Sequence, residues 1–190
     1  MGLRGGHVDV INLIICKGNK IVLLLICIVI GGCSQIYYLS DDYDYRDNHF
    51  ISSIDSLDSA YKIGRYVNNE IGYSFNWLES AKSPYDVWNT GRGDCSDIAT
   101  FAVYCAAFHN IEAYYMAMSF NGTLFTKHLI AILGANDGKY ILISGDYVSK
   151  EFDKIQTIID TQIDNSLYFY GWKCKSYRLY DVNYNKIDKY

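Results

Sequence analysis

The stretch Trp88-Asn89-Thr90-Gly91-Arg92-Gly93-Asp94-Cys95-Ser96-Asp97-Ile98-Ala99-Thr100-Phe101 runs from a glycine-broken loop into an apolar segment. From Cys95 to His109 the apolar positions Ile98, Phe101, Ala102, Cys105 and Phe108 recur at intervals of three and four. That period predicts a helix with one strongly buried face. Asp94 stands at the N-cap position and Asp97 lies three residues on, so the helix is expected to begin at Cys95. A thiol in the first turn feels the positive end of the helix dipole, which favours the thiolate. Gly91 and Gly93 let the loop turn sharply and can bring backbone N–H groups near the sulfur. Asp94 and Asp97 oppose the thiolate by charge, so activation calls for a partner imidazolium.

Downstream, the pattern changes to strands. Ile111 to Phe120 reads as a strand closed by the hairpin signal Asn121-Gly122, and Leu124 to Leu133 reads as a second strand carrying His128. Asn136-Asp137-Gly138 marks a turn, and Lys139 to Ser144 a third strand ending at Gly145-Asp146. A helix over Phe152 to Asp164 and a strand over Ser176 to Val182 complete the reading. Upstream, a helical stretch ends near Gly72, and Trp77 to Thr90 reads as loop or irregular helix. Helices first and an antiparallel meander afterwards predict an α+β domain, with the cysteine-bearing helix packed on the sheet.

Of four histidines, only His128 is placed to meet Cys95. His7 and His49 lie in N-terminal segments outside the fold, and His109 ends the helix that Cys95 begins, about 20 Å along its axis. Asp146 closes the strand next to that of His128 and is the expected orienting carboxylate. Asp137 is a poorer choice, being accounted for by its turn. Cys95, His128 and Asp146 thus supply the nucleophile, base and orienter of a thiol site. Arg92-Gly93-Asp94 spells an adhesion tripeptide and Asn121-Gly122-Thr123 a glycosylation sequon. The first is needed to build the cysteine loop, and the second falls at a hairpin tip.

Residues 1–32 read as a signal peptide. Lys17 and Lys20 precede the ten-residue apolar run Ile21 to Ile30, too short for a spanning helix of about 20 residues. The run Ile30-Gly31-Gly32-Cys33 resembles a bacterial lipobox, which implies lipidation at Cys33 and a place in the cell envelope, anchored to a membrane. The stretch before Lys17 makes the n-region unusually long. Residues 33–50, rich in Asp and Tyr, are expected to be a polar tether, and 51–190 the folded domain. Cleavage before Cys33 leaves 158 residues with 14 basic and 20 acidic side chains. That size suits one domain, and the acidic balance argues against nucleic acid as a partner. Tyrosine is abundant, with 19 residues, but basic residues do not cluster among the aromatics as a base-stacking platform would require. Cys95 and Cys105, about 15 Å apart on one helix, cannot bridge. A Cys105–Cys174 bond and two buried thiols both remain open, and either leaves Cys95 unpaired.

From Trp77 to Tyr147 the chain resembles the transglutaminase-like superfamily, most closely its bacterial cysteine proteinase branch. The carriers are Trp88, Gly91, Gly93-Asp94-Cys95, Asp97 and Ala99, then His128 in Lys127-His128-Leu129-Ile130, then Asp146 in Ile143-Ser144-Gly145-Asp146. The resemblance implies a papain-like core with Cys95 as nucleophile, His128 as base and Asp146 as orienter. It implies hydrolysis of a peptide or amide bond in a protein or peptide substrate of the cell envelope, through an acyl-enzyme. Acyl transfer to an amine, as in a transglutaminase, and an inactive scaffold lipoprotein are the alternatives. Some members bind calcium through acids flanking the cysteine; Asp94 matches, but Ser96 replaces the second acid, so no metal or other cofactor is expected. Trp88 or Trp77 is the nearest match to an oxyanion side chain.

Overall fold

The computed structural model describes residues 47–75, 82–121 and 127–188. Residues 1–46 fall outside it, and with them the segments expected to be the signal peptide, the lipidation site at Cys33 and most of the tether. Trp77 and the hairpin residue Gly122 are also outside the described residues.

The fold begins earlier than position 51. Helix α1 (Asn48–Asp55) starts on Asp47, whose Oδ1 accepts from the N–H of His49 at 2.8 Å and of Phe50 at 3.1 Å. Phe50 and Ile54 from this helix are core residues, so the last positions assigned to a tether are part of the domain. An Asp followed by one aromatic gave little signal against an acidic tyrosine-rich background. Helix α2 (Ala60–Glu70) is capped by Ser59 and buries Ile63, Gly64 and Val67. Then come β1 (Gly72–Tyr73), α3 (Pro84–Thr90) and β2 (Arg92–Gly93), with β1 and β2 paired in parallel. Helix α3 has a capping box at Ser83 and Asp86 with Pro84 in its first turn, and ends at Gly91 in the left-handed region, φ 60°.

Helix α4 (Cys95–Phe108) is buried around nearly its whole circumference from Asp97 to Ala106, not along one stripe. It lies between the sheet on one side and α1, α2 and α3 on the other, so Val103 and Tyr104 are covered as fully as Ile98 and Phe101. A helix apolar on all sides is what such a position demands.

The sheet is antiparallel with strand order β6-β5-β4-β3-β7-β8. Its strands are β3 (Ala113–Phe120), β4 (Lys127–Gly134), β5 (Tyr140–Ser144), β6 (Tyr147–Val148), β7 (Cys174–Tyr180) and β8 (Lys186–Ile187). β7 stops before Val182 because Asp181 opens a turn, its Oδ1 accepting from the N–H of Asn183 and Asn185. Both faces are covered. Ala113, Tyr115, Leu129, Ala131, Leu133, Ile141 and Ile143 pack with α1 to α4, while Met116, Met118, Ile130, Ile132 and Leu142 pack with α5 (Ile155–Asp164). The alternation of side chains along each strand produces these two cores. A short helix α6 (Ser166–Tyr170), ended by Gly171 at φ 71°, leads into β7. Among the described residues, Cys95, Cys105 and Cys174 form no disulfide. Cys105 belongs to the α4 side and Cys174 packs on the α5 side, so the sheet separates them. The architecture is α+β, with the cysteine helix packed on an antiparallel sheet.

Candidate active site

The start of α4 is built by reciprocal capping. Asp94 Oδ1 accepts from the N–H of Ser96 at 2.8 Å and of Asp97 at 3.0 Å, and from Ser96 Oγ at 2.7 Å. Asp97 Oδ2 accepts from the N–H of Asp94 at 3.0 Å, and its Oδ1 from the N–H of Lys82 at 2.7 Å. The Asp97 carboxylate thereby ties the segment before α3 to the cysteine loop while only 6 % exposed. Burial pushes its pKa up, and the two backbone hydrogen bonds pull the other way. Gly93 is needed here because a Cβ on it would stand 2.7 Å from Asp97 Cβ. Gly91 accepts from the N–H of Gly72 at 2.8 Å, and Gly93 from that of Ser74, also at 2.8 Å. The two glycines shape the loop through its packing and its pairing with β1. Cys95 is 8 % exposed in the first turn of α4.

His128 is the second residue of β4 and pairs with Met118. By alternation it faces the side of Ile130 and Leu142, where α5 and α6 lie, and so does Ser144 at the end of β5. His128 and Ser144 thus meet at one end of the sheet, where β4 begins and β5 stops. Tyr73 joins that end to the cysteine loop: it pairs with Gly93, and its ring is so close to Gly145 that a Cβ there would meet Tyr73 Cδ2 at 3.0 Å. Electrostatics agrees with this placement. The Asp94 carboxylate acts on the His128 imidazole, and the Cys95 sulfur acts on the Tyr170 phenol that covers it.

The hydrogen-bond partner of His128 is not the expected one. His128 Nε2 is hydrogen-bonded to Ser144 Oγ at 2.8 Å, while Asp146, two residues on, is exposed. Gly145 between them adopts φ 60°, which breaks the strand and carries Asp146 onto the β5–β6 turn. Asp137 lies in a one-turn 3-10 helix at the opposite end of the two strands, about 20 Å from His128 at the usual strand rise. His109 Nε2 bonds the carbonyl of Ile54 at 2.9 Å and serves the fold. Trp88 packs edge-on against Phe50 at a centroid distance of 5.4 Å, which gives it a core role.

Burial pushes the His128 pKa down to about 4, against a smaller upward pull from Asp94. The imidazole is thus held toward its neutral form at physiological pH, not as the preformed imidazolium that the acidic loop suggested. Two further residues touch it that periodicity alone did not single out. Tyr170 of α6 lies over the imidazole at a ring-centroid distance of 4.7 Å, tilted by 47°. Its hydroxyl donates to Gln162 Oε1, a side chain buried on α5. Ser144 completes the set.

No family model matches the chain, and no curated protein does. Among solved structures, the chain is similar to calcium-bound LapG of Legionella pneumophila, with 14 % identity, 75 % of this chain and 77 % of that one covered, and a TM-score of 0.45. For the EGTA-treated form the identity is 18 %, with 54 % and 63 % covered and a TM-score of 0.40. A candidate cysteine protease from Cytophaga hutchinsonii gives 19 % identity, 55 % and 43 % covered and a TM-score of 0.37. The chain spans less than two thirds of two of these three neighbours. The residue roles below rest on the site itself.

Proposed function

We propose that the protein is a thiol hydrolase that cleaves a peptide or amide bond through an acyl-enzyme. What supports this reading is a thiol in the first turn of α4 together with a partly buried imidazole at the start of β4, whose covering Tyr170 lies within electrostatic reach of that thiol. Cys95 attacks the carbonyl carbon while His128 takes the thiol proton, then returns it to the leaving amine as the C–N bond breaks. A water deprotonated by the same imidazole attacks the thioester, releasing the acid and restoring the thiol. The exposed side chains of Tyr73, Tyr147, Tyr168 and Phe169, close in sequence or space to the site residues, favour a polypeptide over a small polar substrate.

Iodoacetamide labelling near neutral pH tests the reading without a known substrate. Cys95 is expected to alkylate well ahead of Cys105, which is fully buried with its thiol pKa raised by that burial. The His128→Ala variant is expected to lose that reactivity while keeping its circular dichroism spectrum. Slow labelling that ignores His128→Ala would instead mark an inactive scaffold. The envelope location is likewise proposed, on the Ile30-Gly31-Gly32-Cys33 motif. Cys33→Ser is expected to move the protein from the membrane fraction to the supernatant, and unchanged fractionation would remove the lipid anchor.

A further inference from the structure

Helix α6 turns most of its apolar side chains outward: Leu167, Tyr168 and Phe169 are all exposed. Tyr170 instead turns inward, its ring centroid 4.7 Å from that of His128 and 5.2 Å from that of the buried Phe120. The helix is fixed at both ends. At its start, Ser166 is buried and its Oγ accepts from the N–H of Cys174 at 2.8 Å, which pins it to β7. At its end, the Tyr170 hydroxyl donates to Gln162 Oε1 on α5, and Gly171 at φ 71° stops the helix directly afterwards. Gln162 is only 4 % exposed and lies on the stripe of Ile155, Ile158 and Ile159. Two buried polar side chains thus hold a five-residue helix that places three of its side chains in solvent. What they secure is an aromatic ring against the imidazole.

We propose that Tyr170 is a positioning residue of the thiol site: its ring, anchored through Gln162, packs the His128 imidazole in place and keeps water from it. The proposal rests on the thiol-hydrolase reading for its purpose. A base shielded in this way keeps its lone pair in mildly acidic solution, where an ordinary histidine is protonated. Burial is the larger influence on His128, and it acts toward the neutral form. The ionisable groups on the elements around the ring are few. Asp94 and Cys95 stand at the start of α4, Lys127 on β4, Asp146 on the β5–β6 turn, and Tyr177 on β7 in line with Met118 and His128 across the sheet. Lys127 and Asp146 are exposed, and Asp94 pulls upward less than burial pulls down. A tyrosine face can also attract an imidazolium, which would act in the opposite direction to shielding.

Titrating the His128 ring in spectra of the histidine-labelled full chain, with the signal assigned by its loss in His128→Gln, separates the two and needs no reactive thiol. The wild-type midpoint is expected at about 4. Tyr170→Ala is expected to raise it by about one unit or more, toward the ordinary value of about 6.5. Tyr170→Leu, a smaller loss of cover, is expected to raise it less, and it decides the matter should the alanine variant not fold. Tyr170→Phe combined with Gln162→Leu keeps the ring and exchanges the hydrogen-bonded pair for an apolar one. That double variant is expected to titrate as the wild type does. Phe169→Ser, on the exposed side of the same helix, is expected to change nothing. An unmoved midpoint in Tyr170→Ala or Tyr170→Leu overturns the proposal. A lowered one does so too, since it would mark the ring as a cation–π partner. An equal rise in Phe169→Ser, or in the double variant, would show that the Tyr170 ring is not what shields the imidazole. If Cys95 fails to alkylate in the wild type, the hydrolase reading falls alone, and the titration still decides what Tyr170 does.

Discussion

Between pH 6.5 and pH 4 the wild-type protein is expected to lose on the order of 3 kcal/mol of folding stability through His128 alone. An unfolded chain binds a proton at this histidine near its ordinary value of about 6.5. The folded chain binds it only near 4, because burial disfavours the charged ring. As pH falls through that window the unfolded state takes up a proton that the folded state refuses. The contribution is therefore fully present above 6.5 and lost on approaching 4, with no further change below. The groups facing the ring do not cancel this. Asp94 pulls the pKa upward but less than burial lowers it, and Ser144 and Tyr170 carry no charge in this range. Asp97 works in the opposite direction, since its raised pKa lets the folded state bind a proton first on acidification. It is common to both proteins in the comparison and drops out of the difference. Urea unfolding of wild type and His128→Gln at pH 7, 5.5 and 4.5 measures the effect. The glutamine amide can still hydrogen-bond Ser144 yet does not titrate. The stability gap between the two proteins should move steadily against the wild type as the solution is acidified. A gap independent of pH would mean that the imidazole titrates normally and is not held neutral by the fold.

Such a histidine could be located in the sequence but not characterised there. The order of Cys95, His128 and the end of β5 follows from two periodicities, 3.6 over Ile98 to Phe108 and 2 along the strands, and both survive folding. The face on which His128 stands was also implicit: it shares parity with Ile130 and Ile132. What the periodicities could not give is the path of the chain after Ser144. One left-handed glycine at 145 decides whether Ser144 or Asp146 meets the ring, and a strand pattern reads straight through it. The better clue was Gln162, which occupies a buried position on an otherwise isoleucine-lined stripe and so required a partner. Tyr170 offered a weaker one, directly before the glycine that ends α6. The all-round burial of α4 was concealed for a different reason. The spacing of three and four does not mark Tyr104 as buried, whereas Phe50 of α1 stacks on it at a centroid distance of 6.0 Å.

Asp97→Ala is expected to cost about 3 kcal/mol, because it strips the acceptor from two backbone N–H groups at once, each worth roughly 1–3 kcal/mol when left unsatisfied. Those groups belong to Lys82 and Asp94, and they anchor opposite sides of the cysteine loop. In a domain of this size such a loss corresponds to a drop in Tm of about 6–12 °C. Asp97→Asn separates charge from connectivity. Its amide keeps one acceptor oxygen, so it retains one of the two bonds and should fall between wild type and alanine. If the carboxylate acted mainly as a buried negative charge, whose desolvation the fold must bear, asparagine would instead equal or exceed the wild type in Tm. The crowding at Gly93 distinguishes packing from hydrogen bonding in the same loop. A methyl there meets the Cβ of residue 97, which alanine retains, so Asp97→Ala cannot relieve Gly93→Ala. The double variant should be less stable than either single one, and a double variant as stable as Asp97→Ala would show that the loop yields without strain. Because Cys95 follows the cap directly, these variants should also slow its alkylation at temperatures where they remain folded. That links the stability of the α4 start to the reactivity of the thiol it carries.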